Sequence, residues 1–497
     1  ATAAALVRGW HHGSYRATRS VRAREILTEL MPALLKALAN SAVPDTAMIR
    51  FDEFLGRLPT GVQLFSLFRA RPGLLELVAE IMGSAPRLAE RLSRHPTLLD
   101  GVIDGDPVES WPGRAALSDE FSGQLAAARD FEDVLDIARR WGQNRMFQVG
   151  LEMLRNSIDA GSAGSVLSDL AEVLIGALMR CVSEEFEARH GAIPGGSFAV
   201  LGLGKLGARE MTPESDLDLM FCYDCPAASD GSDGAKPLSA SEYYARLSKR
   251  LINALTALTG EGRLYEVDMR LRPSGAKGPI AVHIEGFARY QRETAWTWEH
   301  MALIRGRVIS GPPAIAAAIG DIIAKTIRRP RQSASLMAEV VAMRQRIERE
   351  HGTENPWSVK HVRGGIVDLD FICQALILEH AAVRPEIVTG NTASGFSRLA
   401  QAGCLAQKAA DELLAAAEFL HNVQSFLRLS LRQAAFAEEL PEGLKAALAK
   451  AVGATDFDDL SDRLLAAQRQ VRNHFEDLVA SRAGPPPETP SGTGQRA

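Results

Sequence analysis

Cysteine is scarce in this chain: five in 497 residues, at Cys181, Cys222, Cys225, Cys373 and Cys404. That excludes a disulfide scaffold and fits the reduced thiols of a cytosolic protein. Cys222 and Cys225 form a C-x-x-C, but no second pair completes a tetrahedral metal site, and Asp224-Cys225-Pro226 reads as the end of a strand. Long apolar runs are also missing. No segment reaches the ~18 uninterrupted apolar residues that a membrane span needs, so no membrane association is expected. The opening ATAAALVRGWHHGSYRATRS lacks a long apolar core and a credible cleavage site, so no signal peptide is expected in it. A basic excess is absent: the net charge is -5, which argues against a general nucleic-acid binder. An initiator methionine is absent too, and the chain opens within what reads as a linker, as a fragment of a longer polypeptide would.

Apolar residues are plentiful, and the length implies two to four domains. From Tyr15 to about Ile103 the pattern is helical: Ile26, Leu27, Leu30, Met31, Leu34, Leu35 and Leu38 recur at three- and four-residue spacing. Breaks fall at Pro59-Thr60-Gly61 and Arg71-Pro72-Gly73. Further helices are expected over 130–158 and 166–190. None of this first part carries a chemical motif, and Arg139, Arg140 and Arg145 read as a solvated helix face. The character changes at the glycine-rich stretch 191–196. A buried strand is expected over 197–203, a turn and short helix over 205–211, and an alternating strand over 216–223. A loop follows over 226–236, then a helix from the capping-box pattern at Ser239 to Gly260, and a third strand over 263–272. After about residue 314 the chain is helical again, and 484–497, rich in Pro, Gly, Ser and Thr, reads as a disordered tail. The expected organisation is a helical region over 1–190, a small α/β domain over 191–312, a helical bundle over 313–483 and the tail.

Chemistry concentrates in the α/β part. Asp216 and Asp218, two apart on one strand, share a face, and unpaired carboxylates so placed repel unless a cation lies between them. Hard oxygen ligands of this kind suit Mg²⁺ shared with phosphate oxygens. Upstream, Gly202, Gly204 and Gly207 sit where a strand becomes a helix, which lets main-chain N–H groups approach a phosphate chain. Lys205 and Arg209 would add positive charge there. In the third strand Glu266, Asp268, Arg270 and Arg272 share one face. Asp268 beside Asp216 and Asp218 would complete the three-carboxylate cage of a two-metal phosphoryl-transfer site, with Asp268 the candidate base. Arg270 or Arg272 would steady the phosphates. His300 and His361 are isolated and are assigned to no metal.

These motifs resemble a known family. Gly204-Lys205-Leu206-Gly207-x-Arg209-Glu210 followed by Ser215-Asp216-Leu217-Asp218-Leu219 is similar to the nucleotidyltransferase domains of glutamine synthetase adenylyltransferases, bifunctional adenylylating and adenylyl-removing enzymes. The likeness runs on through 267–273, 287–308 and 360–371. It implies a polymerase-beta-like nucleotidyltransferase domain flanked by all-helical domains, with the motifs of 288–299 and 272–275 closest to the C-terminal, adenylylating half. It also implies two Mg²⁺ ions on Asp216, Asp218 and Asp268, ATP as substrate with Gly204 and Ser215 against its triphosphate, and a tyrosine of glutamine synthetase as acceptor. A PII-type signalling protein and glutamine would be regulators, and the setting cytoplasmic. Phosphorolytic removal of AMP is the alternative direction; a regulatory helical module with an inactive remnant is a third reading, against which the three aspartates stand. Where the family has Asp-x-Glu, this chain has Asp368-Leu369-Asp370, at a helix start where acids are favoured in any case. Trp296 and Trp298 read as interface fillers. Arg305 and Arg307 are phosphate candidates, with surface ion pairs the commoner fate. Lys360 reads as solvated.

Overall fold

The computed structural model describes residues 2–99, 111–227, 231–431 and 439–485. The tail expected over 484–497 lies outside the described residues from position 486 onward, as do 228–230 of the loop after the second strand. The chain forms two compact units: Ala1–Pro112 with Trp141–Val166 and His421–Arg463, and Gly113–Arg140 with Leu167–Leu420 and Leu464–Ala497. No helix among the described residues is long and apolar enough to cross a membrane.

The first unit is helical, and its punctuation is visible in the sequence. Helices begin at Pro44, Pro72 and Pro86, where proline's fixed φ and missing N–H are tolerated in the first turn. Helix Val21–Ala39 starts on Ser20, whose Oγ accepts the Ala23 N–H at 3.1 Å. Its face of Ile26, Leu27, Leu34 and Leu38 is buried as its periodicity predicts, while Leu35 is 40% exposed. That is the expected fate of a residue at the stripe's edge.

The second unit holds the sheet. Strands β1 (Ser197–Gly202), β2 (Leu217–Asp224), β3 (Val267–Asp268), β4 (Ala281–His283) and β5 (Arg307–Ser310) are ordered β3-β2-β1-β5, with β4 also paired to β2. β1 is antiparallel to β2 and β5; β2 is parallel to β3 and β4. The apolar run Phe198 to Leu201 is wholly interior, as its composition demands. Helix Ala240–Thr256 covers the sheet through Tyr244, which stacks on Phe198 and Tyr223 at 5.7 and 4.6 Å.

Four expectations need correction. The third strand is two residues long instead of spanning 263–272, because it pairs only with Leu217 and Asp218 before the chain turns away at 270–275. Asp216 lies just ahead of β2 and is exposed. Ser239 makes no side-chain cap to its helix. Arg139 belongs to no solvated face: it is fully buried, and its guanidinium donates to the carbonyls of Leu135, Ala254, Ala257 and Gly262 at 2.7–3.0 Å. All five cysteines are free, and burial pushes the Cys222 thiol up to about 12.

Candidate active site

The parallel pairing of β2 with β3 sets Asp218 directly opposite Asp268. In-register neighbours on adjacent strands point to the same face about 4.8 Å apart. Asp216 immediately precedes β2 and is exposed. The three acids act on one another: the Asp218 carboxyl is pushed up to about 6, first by burial and then by the charges of Asp216 and Asp268. Lys360 and Arg270 pull it the other way. Asp268 has a different fate. Burial raises its pKa, but Arg270 more than offsets this, so the carboxyl titrates below its ordinary value. The Arg270 main-chain N–H donates to Asp268 Oδ1 at 2.8 Å and its Nε to Oδ2 at 2.7 Å. The Arg270 side chain is 82% exposed, at the solvent side of the acids.

The donor set and its charge suit a divalent cation: three carboxylates, two of them in register, one pushed above its ordinary pKa by burial and then by like charge. The cage is not closed, however. Among the described residues no three His, Cys, Asp or Glu side chains converge as metal ligands would, and Asp268 is turned onto Arg270.

The glycine turn packs on these acids. After β1, Leu203 donates its N–H to the Asp218 carbonyl at 2.9 Å, and a five-residue helix, Gly204–Ala208, begins. Gly204 has φ +49°, and a Cβ there would overlap the Asp218 carboxylate. Only glycine allows this approach. Gly207 is required likewise, since a Cβ would strike the Arg305 carbonyl. Lys205 and Ser215 meet on the intervening turn. Ser215 Oγ accepts the Thr212 N–H at 3.0 Å and lies 2.9 Å from its hydroxyl, while Lys205 Nζ donates to Thr212 Oγ1 at 3.4 Å.

Other candidates separate from the acids. Arg272 is not turned toward the acids; it clamps its own loop, donating to the carbonyls of Met269, Ala276 and Gly278 at 2.8–3.3 Å. Arg209 is not a free phosphate ligand, because Asp169 takes its guanidinium at 2.8 and 2.9 Å. Asp368 and Asp370 are both paired with arginine. Asp368, fully buried, takes Arg344 Nε, the Gly364 N–H at 2.5 Å and Arg363 Nη1 at 3.4 Å. Asp370 receives Arg305 Nη2 at 2.5 Å and the Thr392 hydroxyl at 2.9 Å, so Arg305 is neither a surface pair nor directed at a ligand. Trp296 is 64% exposed and fills no interface among the described residues; its main-chain N–H donates to Glu299 Oε2 at 2.8 Å, and Glu299 Oε1 accepts from Tyr290 Oη at 2.7 Å. Burial lowers His300 to about 4, and burial with Lys360 does the same for His361, so both rings are neutral near pH 7. Lys360 is exposed, and its charge reaches Asp218. Sequence reasoning assigned it to solvent; its place next to a motif loop was the available signal.

Comparison with known proteins agrees with the motifs. A family model described as glutamate-ammonia ligase adenylyltransferase matches residues 75–321, which include the whole sheet and the glycine turn. A second, described as GlnD PII-uridylyltransferase, matches residues 336–479. The chain is similar to the bifunctional glutamine synthetase adenylyltransferase/adenylyl-removing enzyme of Mesorhizobium japonicum, with 44% identity over 481 residues, 97% of this chain and 48% of the relative. Proteins of the same description from Agrobacterium fabrum and Xanthobacter autotrophicus are 42% and 41% identical, over 95% and 97% of this chain and 48% and 49% of their own lengths. The chain thus spans about half the length of the curated relatives it matches. Motifs, glycine turn and likeness agree: residues 75–321 are similar to the glutamate-ammonia ligase adenylyltransferase family, and nearly the whole chain is similar to about half of the bifunctional glutamine synthetase enzymes.

Proposed function

We propose that this chain transfers AMP from ATP to a tyrosine hydroxyl of glutamine synthetase, as the adenylylating half of a longer enzyme. The single observation that carries the reading is the in-register pair Asp218 and Asp268 beside a glycine turn that Asp218 itself abuts. Residues 191–312 would form a polymerase-beta-like catalytic domain, with 1–190 and 313–483 as helical flanks.

Each side chain has a task. Gly204, lacking a Cβ, lets main-chain N–H groups come close to the triphosphate, with Lys205 and Ser215 beside them. Arg270, at the solvent side of Asp268, is placed to meet entering phosphates and so release the carboxylate. Asp268 then accepts the proton of the attacking hydroxyl. Asp216, Asp218 and Asp268 would hold Mg²⁺, two ions in the full arrangement, which when bound neutralises phosphate charge and lowers the pKa of the attacking hydroxyl.

The relatives' description as bifunctional supports a second reading, phosphorolytic removal of AMP, because the chain spans only half of them. A PII-type protein and glutamine would be the regulators, and the second family match supports the former. One assay separates the directions. Label from α-labelled ATP should appear on glutamine synthetase and vanish with Asp216→Asn/Asp218→Asn. ADP formed from adenylylated glutamine synthetase and phosphate, without forward labelling, would favour removal; labelling that survives in the double variant would overturn the carboxylate mechanism.

A further inference from the structure

The glycine turn is gripped from outside its own sheet. Glu172, on helix Ala160–His190, has a side chain only 1% exposed, yet three guanidinium groups reach it. Arg114 approaches to 2.5 Å, Arg307 to 2.6 Å and Arg209 to 3.3 Å. Arg209 is also satisfied by Asp169. The same Arg307 Nη2 that meets Glu172 also donates to the Leu206 carbonyl at 3.0 Å, and Nε donates to the Gly207 carbonyl at 3.3 Å. Those carbonyls lie at the C-terminal end of helix Gly204–Ala208. A helix of one turn cannot hold itself, because nucleation costs more than its few bonds return. Its terminal carbonyls need donors, and a cation there is favoured by the dipole. The Arg307 main chain is already fixed, opposite Gly202 in β5. What remains free is its guanidinium, and the Glu172 carboxylate fixes that.

We infer that Glu172 is a positioning residue for the reaction: through Arg307 it holds the short helix, and so the Gly204 main chain, against Asp218. It touches no reacting atom, and its catalytic consequence rests on reading 204–218 as the nucleotide site. The opposite flank repeats the device. Arg305 Nη2 binds Asp370 at 2.5 Å, Thr392 Oγ1 at 2.9 Å and Glu210 at 3.3 Å, while the Thr392 N–H donates to Glu210 Oε1 at 2.8 Å. The Arg305 carbonyl is the atom against which Gly207 lies. Neighbours Arg209 and Glu210, like Arg305 and Arg307, thus sort into two charge clusters that bracket the turn. Helices outside the sheet, Ala160–His190 and Ile366–His380, supply an acid to each.

The test replaces Glu172→Gln in the whole chain, keeping volume and removing charge. Amide hydrogen exchange over 204–210 should quicken about tenfold while that of β1 stays unchanged. Forward transfer, assayed well below the Tm that loss of a buried paired charge lowers, should fall about 10- to 100-fold in kcat. Arg307→Lys should behave alike, since an ammonium cannot span two carbonyls and a carboxylate, and it serves if Glu172→Gln does not fold. The double variant should be no worse than the worse single one, as for residues acting through one contact. Exchange over 204–210 that is unchanged in both single variants would overturn the inference whatever the activity. Exchange is read without substrate, so a wild-type chain that transfers no AMP would overturn the proposed function alone.

Discussion

Two sets of acids in the sheet-bearing unit are treated in opposite ways. Glu172, Glu210, Asp368 and Asp370 are buried or nearly so, and each touches at least one arginine. Asp216 and Asp218 lie within the same unit and, among the described residues, make no ion pair. Buried carboxylates are retained where a cation compensates their lost hydration. The first set obeys that rule within the chain; half-buried Asp218 obeys it only if the cation comes from outside, while exposed Asp216 adds its charge from the solvent side. Asp268 stands between the two, sharing the edge with Asp218 but neutralised by an exposed arginine.

Substitution should separate the sets. The largest effect is expected for Asp218→Asn, which should cost about a thousandfold or more in transfer rate, as loss of a principal electrostatic contact does. Its Tm without metal should not fall, because the change relieves repulsion from Asp216 and Asp268; thermal melts and transfer assays on one preparation check both. Asp368→Asn should do the reverse. Breaking a buried pair leaves Arg344 uncompensated and should cost about 3–5 kcal/mol of stability, measurable by urea unfolding. At the small end, Arg22→Ala should shift stability by no more than about 0.5 kcal/mol, since Arg22 and its partner Glu25 are 57% and 54% exposed. A large loss there, or a stable Asp368→Asn, would erase the distinction between paired and exposed charge.

The same contrast explains what was legible in the sequence. β1 announces itself as an uninterrupted apolar run and β2 as an apolar strand that opens on alternating acids, because each is long enough for its side chains to report its surroundings. Asp218, Asp268 and Gly204 could be singled out because acids on strands and glycines at a strand-to-helix turn are unusual locally. β4 and β5, three and four residues long, leave no such trace. Arg139 shows the deeper limit. Its helix position resembles that of Arg140, which is 57% exposed and pairs with Glu261 at 3.4 Å, yet Arg139 is interior because carbonyls more than a hundred residues away await its donors. Glu172 was invisible for the same reason: its partners at 114, 209 and 307 are distant in sequence. Periodicity reports which face is buried; it cannot report which distant groups meet a charge.

The proposed site requires a metal-bound nucleotide to supply the ion partner that Asp216 and Asp218 lack among the described residues. Calorimetric titration of Mg²⁺–ATP into the whole chain and into its Asp216→Asn/Asp218→Asn variant tests this directly. The account predicts binding by the wild type and affinity at least about a hundredfold weaker in the variant, with no loss of Tm. Equal affinity in the two proteins would contradict it.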